Sequence, residues 1–354
     1  MYKTLSINPG STSTKIAYYE DENLVFQHTI RHTGEELKQY KEIFDQYEFR
    51  KNVILNCLKE QGITLNDLSA VVGRGGLLRP IESGVYEVNS QMISDLKSSV
   101  GGEHASNLGG IIAREIANSV LNCRAFIADP IVVDELQDVA RISGLPQIPR
   151  RPIFHALNHK AIARRYAVET NTEYEKLNLI IAHLGGGISV AAHCQGKVID
   201  TNQALNGSGP FSPERAGTLD AGEIVRMAFS GDYTQEGMLK MLCGKGGLMA
   251  HLGINEAHVA AQRAQEGDEH AKLVLEAMSY TVAKEIGAMH AVLCGKTDAI
   301  ILTGGIANNK FVVNYIEKKV CSLSKFVVYP GEDELGALAM SGLRVLRGEK
   351  AKEY

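Results

Sequence analysis

No run of apolar residues in this chain approaches the ~18 that a membrane-spanning helix needs, which excludes a helical integral membrane protein. Nor is there an excess of charge of one sign. The 354 residues carry 37 Lys and Arg against 41 Asp and Glu, a net charge of −4, so nothing favours nucleic acid or an anionic membrane surface as a partner. Low-complexity segments are missing, and 44% hydrophobic with 22% charged residues exclude a disordered or collagen-like chain. The six cysteines, at 57, 123, 194, 243, 294 and 321, never show the two-residue gap of a zinc or redox motif. Scattered thiols suit a reducing compartment, and each is expected to serve as a small buried hydrophobe. The start, Met1-Tyr2-Lys3-Thr4-Leu5-Ser6-Ile7-Asn8, lacks the long apolar stretch of a secretory signal, so a cytoplasmic protein is expected.

What the chain has in surplus is glycine, 35 residues or about a tenth, against a usual ~7%. Several fall in clusters after apolar strands. The opening reads as a β-meander: a strand through Leu5 and Ile7, a turn over 8–13, a strand over 15–19, a turn at Asp21-Glu22-Asn23 and a strand over 24–30. The same order recurs in mid-chain, with strands over 179–184 and 188–193 about Gly185-Gly186-Gly187, then a turn at Gln195-Gly196-Lys197 and a strand over 198–201. Asn8 to Asp21 and His183 to Gly196 are each 13 residues. That spacing suggests a duplicated fold, and two unrelated meanders would also give it. Apolar residues at Leu37, Tyr40, Phe44, Tyr47, Val53, Ile54 and Leu58 predict one long or two shorter helices over 35–60, with another over 107–121. Ala271, Val274, Leu275, Met278, Val282, Ile286, Met289 and Leu293 mark one face of a long helix. A strand over 299–302, a short helix, a strand over 326–329 and an amphipathic helix from about Asp333 follow. The stretch 144–152 has three prolines in seven residues and is the expected boundary. It divides a domain over 1–148 from one over 149–334, with a helix over about 335–354 packing back on the first.

Three glycine-bearing turns carry chemistry. Asn8-Pro9-Gly10-Ser11-Thr12-Ser13-Thr14-Lys15 offers main-chain amides, hydroxyls, an amide side chain and an ammonium group, the donors a polyphosphate needs. A polar β-turn would use the same residue types. His183-Leu184-Gly185-Gly186-Gly187-Ile188-Ser189 lets backbone approach an anion without side-chain obstruction, and lacks both the lysine and the spacing of a Walker-type loop. Gly304-Gly305-Ile306-Ala307 follows a strand and precedes a helix; a planar nucleoside could lie against its bare backbone, or it could be a tight connection only.

Two phosphate-type hairpins from a repeated meander, followed by a later Gly-Gly turn, resemble the actin-like kinase superfamily. The resemblance implies an α/β, two-domain actin-like ATPase of the ribonuclease H-like kind, a duplicated fold with ATP in the interdomain cleft. The first two turns would face its phosphates and the third its adenosine. Within that superfamily the chain resembles the acetate kinase family, and its butyrate kinase branch most. The matching segments are residues 7–15, Val72-Gly73-Arg74-Gly75-Gly76, residues 129–135, residues 151–159, residues 183–189, residues 209–219, residues 302–309 and residues 330–335. The family implies reversible, direct in-line phosphoryl transfer from ATP to a short-chain carboxylic acid, butyrate or a branched four-to-five-carbon acid, giving an acyl phosphate and ADP with Mg2+. By position in those segments, Arg74, Asp129, His155, His183 and Arg215 match the catalytic set. Asn8, Gly10, Ser11, Ser13, Lys15, Gly185, Gly186, Gly187, Gly304, Gly305, Ile306 and Asn308 match the nucleotide and phosphate positions. Glu334, Asp333 and Asp129 match the acids associated with the metal.

The chain departs from acetate kinases in being shorter and in having Gly186-Gly187 where they carry Asn-Gly. The run into the second arginine, Gly209-Pro210-Phe211-Ser212-Pro213-Glu214-Arg215, also lacks their methionine. Acyl-pocket residues therefore do not transfer, Phe154 apart. Acetate or propionate kinase is one alternative; a sugar kinase or a non-enzymatic nucleotide-gated protein of the same superfamily are others. The family also implies a homodimer or larger assembly. His159, four residues after His155, is expected as a partner to it or as polar surface.

Overall fold

Alternating apolar residues turn the start of the chain into three antiparallel strands, β1 (Lys3–Pro9), β2 (Ser13–Glu20) and β3 (Asn23–Arg31). The computed structural model describes residues 1–205 and 207–354, in two compact units. The first comprises Met1–Asp134, Ala156–Asn158 and Asp333–Tyr354. Its sheet adds β4 (Ala70–Arg74), β5 (Val85–Glu87) and β6 (Arg124–Ala128) in the order β3-β2-β1-β4-β6-β5, with β1, β4 and β6 parallel. The helix Asn107–Asn118 covers one face through Leu108, Ile111, Ile112 and Ile116. The helix Glu334–Leu346 covers the other through Leu335, Leu338 and Ala339. Helix Asn107–Asn118 crosses β4 at bare backbone: a Cβ on Gly73 would stand 2.1 Å from the Gly109 carbonyl oxygen.

The second unit, Glu135–His155 and His159–Glu332, repeats the plan. β7 (Asn178–Leu184), β8 (Ile188–Cys194) and β9 (Lys197–Thr201) form the meander, and β10 (Ala299–Gly304) and β11 (Lys325–Pro330) extend it in parallel. The order β9-β8-β7-β10-β11 matches β3-β2-β1-β4-β6 strand for strand and sense for sense, so the 13-residue coincidence reflects two copies of one topology. The long helix Glu269–Val292 packs on one face, with Val274, Leu275, Met278, Val282 and Ile286 against Ile180, Val190 and Leu302. Ala163, Tyr166 and Ala167 of the helix Ala156–Glu169 pack on the other.

Two expectations are corrected, on the division of the chain and on the cysteines. The division falls after Asp134, not at the proline-rich stretch. That stretch lies inside the second unit because Arg150 donates to Asp200 Oδ1 at 2.8 Å and to the Ala140 carbonyl at 2.8 Å, while the Gln137 amide bonds the Ile199 carbonyl at 3.1 Å. Of the two readings of the 35–60 region, the structure has the two shorter helices, Gly34–Lys38 and Tyr47–Glu60, the second preceded by a 3-10 turn at Phe44–Gln46. No cysteine is a fully buried hydrophobe: Cys294 and Cys321 are exposed, the other four are half-buried, and all six are free thiols. Among the described residues no helix is long and apolar enough to cross a membrane.

Candidate functional site

In the first unit, expected site residues collect at the carboxyl ends of parallel strands, where an α/β sheet leaves side chains unencumbered by its helices. Asn8 is buried near the end of β1, and Arg74 ends β4. Glu334 opens the last helix and joins them: its carboxylate takes Arg74 Nη1 at 2.8 Å and Asn8 Nδ2 at 2.5 Å, and Arg74 Nη1 also reaches Asn8 Oδ1 at 3.3 Å. Arg79, five residues on, belongs elsewhere, paired with Asp95 at 2.8 Å. Asp129 follows the β6 residue in register with Arg74. Its backbone is left-handed, at φ 38°, and its Oδ1 accepts from the Ser83 hydroxyl at 2.6 Å and the Gly84 amide at 2.8 Å. Such strain at a buried carboxylate persists where neighbours over-determine it. Asp333 takes another role: its side chain caps the last helix, accepting from the Gly336 amide at 2.8 Å. The first hairpin is closed by the Gly10 amide on the Ser13 carbonyl at 2.7 Å, and Ser11 and Lys15 are exposed.

In the second unit His155 and His183 stack, ring centroids 3.8 Å apart and planes 15° apart. His183 ends β7's buried face beside Glu332, its Nε2 3.5 Å from that carboxylate. His155 Nδ1 meets Ser189 Oγ at 2.8 Å, and the chain of polar atoms continues inward. Ser189 Oγ contacts His159 Nε2 at 2.9 Å, His159 Nδ1 contacts His193 Nε2 at 3.2 Å, and His193 Nδ1 contacts the Tyr174 hydroxyl at 2.7 Å. Burial, reinforced by neighbouring charges including Lys160, holds His159 and His193 well below the usual histidine range, so both imidazoles are neutral at neutral pH. His159 is therefore a buried partner of His155 through Ser189, not polar surface. Phe154 is fully buried edge-on to His159.

The glycine hairpin sits against Arg215. A Cβ on Gly187 would be 1.8 Å from Arg215 Nη1, which itself donates to the Ala204 carbonyl, and Ser212 Oγ donates to the Gly186 carbonyl at 2.7 Å. Gly304, at φ 88°, lies against the base of that hairpin, where a Cβ would be 2.4 Å from the Leu184 carbonyl oxygen. Gly305, Ile306 and Asn308 line a cavity of about 360 Å³ with Ala261, Gln262 and His258. No three His, Cys, Asp or Glu side chains among the described residues form a metal-binding cluster. Sequence reasoning missed Tyr174 and His193, which share no motif spacing with His155. It also missed Glu214, whose Oε1 accepts from Asn255 at 2.6 Å while its other oxygen lies nearest the space above Gly186.

The family model described as the Acetokinase family matches residues 147–338. The chain is 57% identical to Butyrate kinase 1 of Clostridium acetobutylicum over 355 residues, 100% of each chain. To Butyrate kinase 2 of the same organism it is 55% identical over 354 residues, 100% of this chain and 99% of that protein. The crystal structure of Porphyromonas gingivalis acetate kinase superimposes with a TM-score of 0.79 over 98% of this chain and 100% of that one, at 19% identity, a likeness of fold.

Proposed function

The chain belongs to the acetokinase family, whose members phosphorylate short-chain fatty acids with ATP, and on that footing we propose that it acts as a butyrate kinase. It has the actin-like ATPase fold. The observation that carries the choice of acid is that more than half of all positions, end to end, are identical to those of two butyrate kinases.

The acceptor arrives ionised, since a carboxylic acid titrates near ~4.3. No side chain has to take a proton from it, as one must from the hydroxyl of a sugar. A carboxylate oxygen bonds to the γ-phosphorus, the bond from that phosphorus to the β–γ bridging oxygen breaks, and its electron pair leaves with ADP. Repulsion between two anions is the obstacle. Arg215 and Arg74 offset it with planar cations that meet carboxylate and phosphoryl oxygens in bidentate fashion. Glu334 and Asn8 hold Arg74 in place meanwhile. His155 and His183 donate N–H groups to the phosphoryl oxygens, with Ser189 fixing the ring of His155. The Gly185 and Gly10 amides close their own hairpins, on the Gly187 and Ser13 carbonyls, so the amides of Gly186 and Gly187 and that of Ser11, with the Ser11 and Ser13 hydroxyls, serve the phosphates, and Lys15 adds a point charge. The cavity beside Gly305, Ile306 and Asn308 takes the nucleoside.

Magnesium suits this donor set, because it keeps several waters and binds through one or two carboxylates plus substrate phosphates; Asp129 and Glu334 are the residues assigned to it. Six free thiols favour a cytoplasmic setting. Exposed Val225, Phe229, Leu239 and Tyr280 favour a homodimer or larger assembly. The test is a panel of acids and sugars with ATP and hydroxylamine. Hydroxamate with butyrate or a branched short acid is the expected result, since only an acyl phosphate yields it; turnover with a sugar alone would overturn the assignment.

A further inference from the structure

Arg50, on the helix Tyr47–Glu60, has a relative exposure of 0%. A buried guanidinium is ordinarily paired with a carboxylate, because its desolvation is otherwise uncompensated. Here, among the described residues, every hydrogen-bond partner is a neutral oxygen. Nη1 donates to the Gly10 carbonyl at 2.8 Å, the Ser13 carbonyl at 3.2 Å and Thr14 Oγ1 at 3.1 Å. Nη2 donates to the Ser11 carbonyl at 3.2 Å and to Gln46 Oε1 at 2.9 Å, and Nε shares that Oε1 at 3.1 Å. His32, on the same Thr14 hydroxyl at 2.8 Å, is held toward its neutral form by burial and by the charge of Arg50. Burial lowers the guanidinium to about 10, which leaves it cationic at neutral pH.

The geometry also turns the hairpin. In a trans peptide the carbonyl and the following N–H point in opposite directions, and the described residues include no cis peptide. Drawing the Gly10 and Ser11 carbonyls back onto Arg50 therefore aims the N–H groups of Ser11 and Thr12 away from it, at a tip where both residues are exposed. An array of outward amides over an unneutralised cation is an anion-binding surface with its charge supplied from beneath.

We propose that Arg50 is the positioning residue of the first phosphate hairpin, setting its amides toward phosphate oxygens and leaving a buried positive charge for the nucleotide to complement. This rests on the reading of residues 8–15 as a phosphate site. The experiment compares Arg50→Met and Arg50→Lys with the hairpin variants Ser11→Ala and Lys15→Ala, in the full chain. Thermal melts, kcat, and KM for ATP and for butyrate are measured for each. In Arg50→Met the KM for ATP rises about tenfold or more, the scale of a lost charge-assisted interaction. The KM for butyrate stays within about twofold, a split that loss of folded protein does not produce. Arg50→Lys, which keeps the charge with fewer donors, falls between, and it carries the test alone if Arg50→Met does not fold. An unchanged KM for ATP in the folded Arg50 variants, with kcat falling only as the folded fraction falls, overturns the proposal. If the hairpin variants raise the KM for ATP in that case, the phosphate reading stands without Arg50. If they too leave it unchanged, the hairpin is not a phosphate site and both ideas fall.

Discussion

At the scale of single residues, two neighbouring acids do different work. Asp333 turns its carboxylate onto the Gly336 amide and starts a helix, while Glu334 reaches Arg74 and Asn8. Asp333→Ala should cost about 1 kcal/mol of stability, the usual value of an N-cap, and leave the kinetics with ATP and magnesium unchanged. Glu334→Gln should do the reverse: a melting temperature near that of the parent, and a lower kcat because Arg74 loses the charge that holds it. Melts and steady-state rates on the two variants check both halves. A Mg2+ requirement altered by Asp333→Ala would refute the capping role as its main one. The sequence made both acids visible as a pair in Glu332-Asp333-Glu334, but their division depends on which residue the helix begins after. That is settled by where Leu335, Leu338 and Ala339 meet the sheet, a tertiary matter. His159 is a parallel case: its spacing from His155 allows either a partner or polar surface, and only the strand carrying Ser189 and His193, laid over it, decides between them.

At the scale of elements, the meanders were legible because period-2 alternation and glycine punctuation are local signals, and β1 to β3 and β7 to β9 fall where they point. The proline-rich stretch misled because proline marks irregular backbone without saying what that backbone is tied to; here it is tied to Asp200 and Thr201 at the end of β9. Within the glycine hairpin, three identical residues in sequence are unlike in space. Around Gly186 the nearest atom to an added Cβ is Glu214 Oε2 at 3.8 Å, whereas at Gly187 it is Arg215 Nη1 at 1.8 Å. Gly187→Ala should therefore displace the arginine and reproduce Arg215→Ala, for which a loss of about 10²–10³ in kcat is expected. The double variant should be little worse than Arg215→Ala alone, since the second change removes what the first has already moved. Gly186→Ala should fold normally and weaken nucleotide binding, measured by calorimetry, more than it lowers kcat. Additive losses in the double variant would disprove the coupling of Gly187 to Arg215.

At the scale of the molecule, two properties are expected of the enzyme as a whole. One is stability against pH. His159 and His193 are held neutral by burial, so the unfolded chain binds two protons near pH 6.5 that the folded chain refuses. Stability is then full above that pH and declines as the pH falls below it, by up to about 1.4 kcal/mol per histidine per pH unit. Denaturant midpoints at pH 7 and pH 5.5 should differ accordingly, and His193→Gln should flatten the slope; equal midpoints in the parent would show that the buried pair accepts protons. The other property is the choice of acid. On the proposed reading, arginines handle the substrate's charge and apolar contact handles its tail, so the tail sets a bounded preference. Each buried methylene contributes about 0.8 kcal/mol, so the two carbons separating butyrate from acetate are worth ~1.6 kcal/mol, roughly fifteenfold in kcat/KM. Butyrate should exceed acetate by about that factor, propionate should lie midway, and a branched acid of butyrate's volume should stay near butyrate. No buried polar group need be left unpaired by a shorter acid, so the steep discrimination that an unsatisfied hydrogen bond imposes is not expected. Hydroxamate yields across the series measure it. A maximum at acetate would move the chain's activity to that of an acetate kinase, while exclusion of acetate by a thousandfold would require a pocket that closes on the tail instead of merely burying it.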